Sequence, residues 1–336
     1  MKKRNYIWLA FLVLATIWIV VRHQRKADFR TDSGLVFGTM YKITYRCDDD
    51  LKPDIEAELK RFNNSLSPFE KNSVISRVNR NEEVVVDSFF RRCFDLSMEV
   101  SRQTDGAFDI TVAPLVNAWG FGFKQGRFPD SLTVDSIMSF VGYAKASLTD
   151  DGRVMKQDPR LMLDCSAVAK GYGVDVVASL LERRGIRDYM VDIGGEVVLR
   201  GYNPQEELWR IGINKPIDDS LSVNGEIQTV LQLTDVGMAT SGNYRNYYYR
   251  DGKKYAHTID PHTGYPVQHS VLSSTVIARN CMTADALATA FMVMGLSQAR
   301  AFCQAHPDID AYLIYSGEDG TLKTYVTPGM KKYMKP

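Results

Sequence analysis

Asp285 and Thr289 stand four residues apart in the stretch Thr283-Ala284-Asp285-Ala286-Leu287-Ala288-Thr289. A helix there carries a carboxylate and a hydroxyl on one face. The pair suits a hard cation such as Mg2+, which takes oxygen ligands and keeps several waters. An acid in a first helical turn also complements the helix dipole, so the pair alone leaves both roles open. His257 belongs to a residue type that titrates near neutrality and can take a proton from a hydroxyl nucleophile, although a histidine on a strand equally serves packing. Asp164, Lys170 and Gly171 fall where a short apolar run gives way to a helical pattern. Gly171 and Gly173 permit a close backbone approach there, and a helix N-terminus favours an anion such as a phosphate. The order of residues is neither a Walker A loop nor a G-x-G-x-x-G fingerprint.

The elements that must position these groups are legible in outline. Gly34 to Tyr45 reads as a first strand, with Gly38 a point of close backbone approach. Pro53 to Leu66 has Ile55, Leu59, Phe62 and Leu66 at helical steps. Asn72 or Ser73 can cap a short helix through Asn79, and Asp87 to Thr104 reads as a helix stopped at Gly106. Residues 106–122, GAFDITVAPLVNAWGFG, are too rich in glycine for a regular element and too apolar for a solvated loop; they pack on the core or on a flat ligand. A short helix falls near Val134 to Val141. Leu161 to Asp164 reads as a strand leading into a helix from Val174 to Arg184. Strands follow at Tyr189–Ile193, Glu196–Arg200, Trp209–Asn214 and Ile227–Leu233. The stretch 238–267 reads as a tyrosine-rich hairpin turning at Asp251-Gly252, with Arg245 and Asn246 on its outgoing arm. Its return arm, Lys253 to Ile259, carries Tyr255 and His257 on one face. Asp260 braces the closing loop DPHTGYP by bonding nearby amides. Thr283–Met294 is a helix stopped by Gly295, a second helix runs from Ser297 to Ala305, and a last hairpin turns at Asp319-Gly320. Strands and helices mix without strict alternation, so the class is α+β, with mixed sheets and packed helices.

The chain has 336 residues, 45% hydrophobic and 24% charged, which is ordinary for a globular protein. A net charge of +1 gives no footing for nucleic acid. The five cysteines, at 47, 93, 165, 281 and 303, have no metal-like spacing. Lys2, Lys3 and Arg4 precede the apolar run Tyr6–Val21, about 24 Å long if helical, and Arg22, His23, Arg25 and Lys26 follow it. Without a small-x-small cleavage site, residues 1–30 read as an uncleaved signal anchor and one N-terminal membrane helix. Residues 31–336 then form a single catalytic unit outside the cytoplasmic membrane.

Taken together, FGTMYKI, GAFDITVAPLVNAWGFG, DCSAVAKGYGVD, VDIGGEV, ATSGNYRNYY, HTIDPHTGYP and TADALAT resemble the ApbE family, the FAD:protein FMN transferases. The resemblance spans about residues 34 to 315. It implies a bacterial inner-membrane enzyme with its catalytic domain on the periplasmic side, cleaving FAD and placing FMN on a threonine or serine hydroxyl of an acceptor protein, with AMP released. It implies a Mg2+ site on Asp285, Thr289 and the backbone carbonyl of Ala167. It also implies FAD contacts at Phe37, Phe69, Ala107, Phe108, Asp109, Asp164, Lys170 and Ile259, and His257 as the catalytic base. Phe69 stands where the family often has a stacking tyrosine, and Phe37 where a methionine is usual. The acceptor implied is a subunit of a membrane redox pump. An FAD pyrophosphatase using the same residues, or a flavin-binding protein without turnover, are the competing readings.

Overall fold

The computed structural model describes residues 8, 12–13, 15–16, 27–122, 128–216, 226–243, 247–250 and 253–334. Eight strands form one antiparallel sheet in the order β1-β2-β5-β6-β9-β12-β13-β14. They are β1 (Phe29–Val36), β2 (Thr39–Arg46), β5 (Tyr189–Ile193), β6 (Glu196–Arg200), β9 (Val236–Gly242), β12 (Val271–Ala278), β13 (Asp310–Ser316) and β14 (Leu322–Val326). Three two-stranded antiparallel pairs stand apart: β3 (Ala146–Leu148) with β4 (Val154–Lys156), β7 (Trp209–Asn214) with β8 (Ile227–Leu233), and β10 (Tyr247–Arg250) with β11 (Lys253–Ala256).

Both faces of the large sheet are covered, so its central strands bury apolar side chains on both sides. Val198, Ala239, Val276, Ala311 and Leu313 point into a core shared with the helices. Their neighbours Val197, Leu199, Met238, Ile277, Tyr312 and Ile314 point the other way, onto Trp209, Ile213, Leu231 and Leu233 of the β7–β8 pair. The helical layer is α1 (Lys52–Leu66), α2 (Val74–Asn79), α3 (Ser88–Gln103), α6 (Ser166–Arg183) and α7 (Cys281–Ala305). Two smaller helices, α4 (Ala113–Ala118) and α5 (Ser131–Met138), build a satellite cluster of Leu115, Trp119, Val134, Phe140, Val141 and Ile259.

Local chemistry sets the helix ends. The Ser73 hydroxyl accepts from Ser76 N at 3.2 Å, and Asp87 Oδ1 accepts from Phe90 N at 2.9 Å. At the end of α3, Gly106 N donates to Ser101 O at 2.7 Å, a Schellman-type closure. Gly295, at φ 71 and ψ 178, breaks α7 where the sequence placed a stop, and the chain resumes helix without a loop.

Several sequence expectations need correction. The single strand from Gly34 to Tyr45 is two strands, because Phe37 (φ 52) and Gly38 (φ 74) both turn left-handed and close a two-residue hairpin. Leu161–Asp164 is no strand; it makes only an isolated bridge, Val112 with Met162. The helix begins at Ser166 rather than Val174, so residues 166–173 are already the first two turns of α6. Gly171 and Gly173 therefore admit protein rather than ligand: a Cβ on Gly171 would lie 2.4 Å from Cys281 O, and one on Gly173 2.7 Å from the Phe37 ring. The strand β11 ends at Ala256, so His257 lies just beyond it. Arg245, Asn246 and the turn at Asp251-Gly252 lie outside the described residues. So does most of the Tyr6–Val21 run; Trp8, Leu12, Val13, Ala15 and Thr16 are helical, which does not establish a membrane span. The one described helix long and apolar enough to cross a membrane is Cys281–Ala305, which is packed in the core.

Candidate active site

The close crossing of α6 and α7 creates the floor of the site. Asp285, 4% exposed, accepts from Gly171 N at 2.9 Å through Oδ2. In an uninterrupted α-helix that amide points at the carbonyl of Ala167, so the bond ties Asp285 to the turn that carries Ala167. Thr289 lies one turn further along α7, its hydroxyl 3.2 Å from the Ser241 hydroxyl. Asp285, Thr289, Ala167 and Ser241 all line one cavity of about 430 Å3.

Lys170 reaches the same cavity, its ammonium 2.5 Å from Glu196 Oε1. Glu196 follows the Gly194-Gly195 turn between β5 and β6, and its side chain is 3% exposed. Burial alone would lower the Lys170 pKa, but the Glu196 and Asp285 carboxylates hold it above its ordinary value. Glu196 is raised by burial despite Lys170, and its Oε2 is buried with no hydrogen-bond partner. Burial, then the nearby Glu196, also raises Asp285. On this floor Glu196 and Asp285 set two buried carboxyls against the one ammonium of Lys170, an electrostatic deficit that a cation relieves.

The upper wall comes from two loops. Ala107, Phe108 and Asp109 line it from the segment after α3, and His257, Thr258, Ile259 and Pro261 from the loop after β11. Asp109 is 7% exposed, and both its oxygens are engaged, by Thr111 N at 2.7 Å and Tyr143 N at 2.8 Å. Its carboxylate therefore shapes the wall, and burial raises its pKa. His257 is half-buried and faces Phe121 edge-on at 6.4 Å between ring centroids. Asp164 Oδ1 accepts from Ser166 N at 2.8 Å at the start of α6, and Phe69, 76% exposed, lies at the mouth. The DPHTGYP loop is braced by Asp260, which accepts from His262 N at 2.9 Å and the Thr263 hydroxyl at 3.1 Å. Trp119 Nε1 pins the same loop by donating to Gly264 O at 2.8 Å.

Eleven of the twelve candidate residues from the sequence converge here: Phe69, Ala107, Phe108, Asp109, Asp164, Ala167, Lys170, His257, Ile259, Asp285 and Thr289. Phe37 does not. Its ring packs on Phe62, 5.3 Å between centroids, and against Gly173, because the hairpin turn directs it inward. Glu196, Thr240 and Ser241 were not singled out as site residues, yet they line the cavity. The signal for Glu196 was an acid directly after two glycines on an otherwise apolar strand. Among the described residues no group of three or more His, Cys, Asp or Glu side chains gathers to hold a metal ion. The oxygen set of one carboxylate, one hydroxyl and one carbonyl fits a hard cation that retains waters.

Residues 37–313 match the family model described as "ApbE family". The chain belongs to the ApbE family. A Vibrio cholerae relative named FAD:protein FMN transferase is 37% identical over 97% of this chain and 98% of its own length. A Haemophilus influenzae relative of the same name is 35% identical over 93% of this chain and 92% of its own. The solved structure of the flavin transferase ApbE from Vibrio cholerae superposes with a TM-score of 0.82 at 36% identity, covering 91% of this chain and 99% of that one. The α+β architecture of this ApbE-family member is therefore that of the flavin transferases.

Proposed function

We propose that this ApbE-family transferase splits FAD between its two phosphates and attaches FMN through a phosphoester to a threonine or serine hydroxyl of an acceptor protein, in a Mg2+-dependent reaction. The observation that carries the reading is the convergence of Asp285, Thr289, Lys170 and His257, from three separate parts of the chain, on one cavity walled by Ala107 to Asp109. Asp285, Thr289 and the Ala167 carbonyl would hold the Mg2+, which supplies charge neutralisation on the pyrophosphate. Lys170, kept charged and directed by Glu196, offsets further phosphate charge. Phe69 and the 107–109 wall position the flavin end. His257 accepts the proton of the acceptor hydroxyl as the oxygen–phosphorus bond forms and the bond to the AMP oxygen breaks.

The stretch before β1 acts in this reading as an inner-membrane anchor, which holds the enzyme on the extracytoplasmic side beside a membrane redox-pump acceptor; Phe29 and Arg30, counted with the anchor from the sequence, already pair with β2. The test is intact-mass analysis of a threonine-bearing acceptor after incubation with FAD, Mg2+ and residues 27–336, which keep the whole of β1. A gain of one FMN, lost with EDTA and with Asp285→Ala, is expected. Released FMN and AMP with an unlabelled acceptor would point to hydrolysis instead, and unchanged FAD would refute the reading.

A further inference from the structure

His262 is exposed and lies outside the cavity, yet it bridges the two loops that form the cavity's upper wall. Its Nε2 is 2.7 Å from the carbonyl oxygen of Asp105, and its Nδ1 is 3.1 Å from Asp260 Oδ1. Both partners are acceptors. A peptide carbonyl has no proton to give, and Asp260 Oδ1 already accepts the His262 backbone N–H at 2.9 Å. A neutral imidazole has one N–H and can satisfy only one of them; the imidazolium satisfies both. The geometry is that of a doubly protonated ring.

The surroundings favour the same state. Asp105 follows the last turn of α3, where the unsatisfied carbonyls concentrate partial negative charge. Among the described residues the charged groups that face the ring are Asp260 from its own loop and Asp105 and Asp109 from the segment after α3, all acids. Partial burial would lower the pKa of His262, but the Asp105 carbonyl and the Asp260 carboxylate raise it above the ordinary histidine value.

We infer that His262, as an imidazolium, is a positioning residue that clamps the 257–261 loop to the 105–109 segment and so sets the width of the flavin end of the cavity. The inference rests on the proposal that this cavity binds FAD. Asp105 at φ 51 and Gly106 at φ 81 hold the carbonyl toward the ring, and Ala107 and Phe108 follow directly on the wall. On the other side, Pro261 and Ile259 precede His262 and line the cavity. When the ring loses its second proton, one acceptor loses its donor and faces a lone pair, and the two wall segments are no longer tied at that edge.

Two measurements test the clamp. In the ligand-free protein, the His262 imidazole is titrated by NMR; its pKa is expected above the ordinary histidine value, and lower in Asp260→Asn. An ordinary or depressed pKa, unchanged by Asp260→Asn, would overturn the bridge whether or not FAD binds. Separately, the FAD dissociation constant is measured from pH 5.5 to 9 with EDTA present, so that no turnover intervenes. In the wild type, affinity is expected to fall by about 3- to 10-fold as pH rises through the His262 titration, the effect of one charge-assisted hydrogen bond at a partly exposed site. His262→Arg, which stays cationic, should keep the tight affinity without that transition. His262→Gln should sit at the weak affinity across the range. Identical pH profiles in the wild type and His262→Arg would overturn the link to the cavity. Failure of the wild type to bind FAD at any pH would refute the FAD reading, while the ligand-free titration still decides the bridge.

Discussion

Gly171 and Gly173, two residues apart on α6, lead to different outcomes for the same substitution. Gly171→Ala places a Cβ 2.4 Å from the Cys281 carbonyl oxygen and 2.7 Å from Asp285 Cβ, both parts of α7 that cannot rotate away. Gly173→Ala places one 2.7 Å from Cε2 of Phe37, the edge of a partly buried ring at a hairpin tip. Either alanine gains up to about 1 kcal/mol in helix propensity. Overpacking costs about 1–3 kcal/mol when neighbours must shift, and Gly171 sits at the upper end because the contact is with backbone. Gly171→Ala is therefore expected to lose about 1–2 kcal/mol net, and Gly173→Ala to fall within roughly 0.5 kcal/mol of wild type. Moving α7 also breaks the bond from Gly171 N to Asp285 Oδ2, so Gly171→Ala should weaken the proposed Mg2+ response far more than the stability change accounts for. Urea denaturation gives the stabilities, and Mg2+-dependent FMN transfer gives the site effect. A Gly171→Ala protein as stable and as active as wild type would refute the close crossing of α6 and α7 as the basis of the site.

His257→Ala should slow transfer by on the order of 10²- to 10⁴-fold at saturating FAD; a loss below tenfold would reduce His257 to packing against Phe121. Phe69→Ala, at the exposed mouth, should raise KM for FAD more than it lowers kcat, and an equal effect on both would show that it does more than stack. Asp175 accepts from Cys281 N at 2.9 Å and Met282 N at 2.8 Å, and burial raises its pKa to about 6. A raised carboxyl favours the protonated fold, so its contribution is present below about pH 4, near the unfolded value, and is lost as pH rises through 6. Asp175→Asn should remove that component, at most roughly 3 kcal/mol, from the wild-type pH dependence of stability measured by urea titration, at the cost of a weaker cap on α7. An unchanged pH profile would show that Asp175 stays ionised in the fold.

Local rules were enough for most elements. Helical spacing in α1, the break at Gly295 and the cap at Ser73, one of the two candidates the sequence offered, are decided within a few residues of chain; Asp87, read as the first helical residue of α3, is its cap. The motifs also placed the candidate groups, since a carboxylate and hydroxyl four apart on a helix share a face wherever that helix packs. What the sequence left undecided depended on partners distant in the chain. Gly171 and Gly173 looked like ligand-binding glycines because a glycine reports only that something comes close; the fold shows that α7 and Phe37 do so. Phe37 looked like a flavin contact, but a left-handed turn directs its ring into the core. Glu196 became a site residue only when β6 was laid beside β9, with α6 over the sheet and Lys170 within 2.5 Å. Composition and spacing determined which chemical groups this protein has and which of them share an element; only the packing of α6 against α7 and of two loops against each other decided which groups meet, because burial, pairing and pKa belong to neighbours that the chain order does not specify.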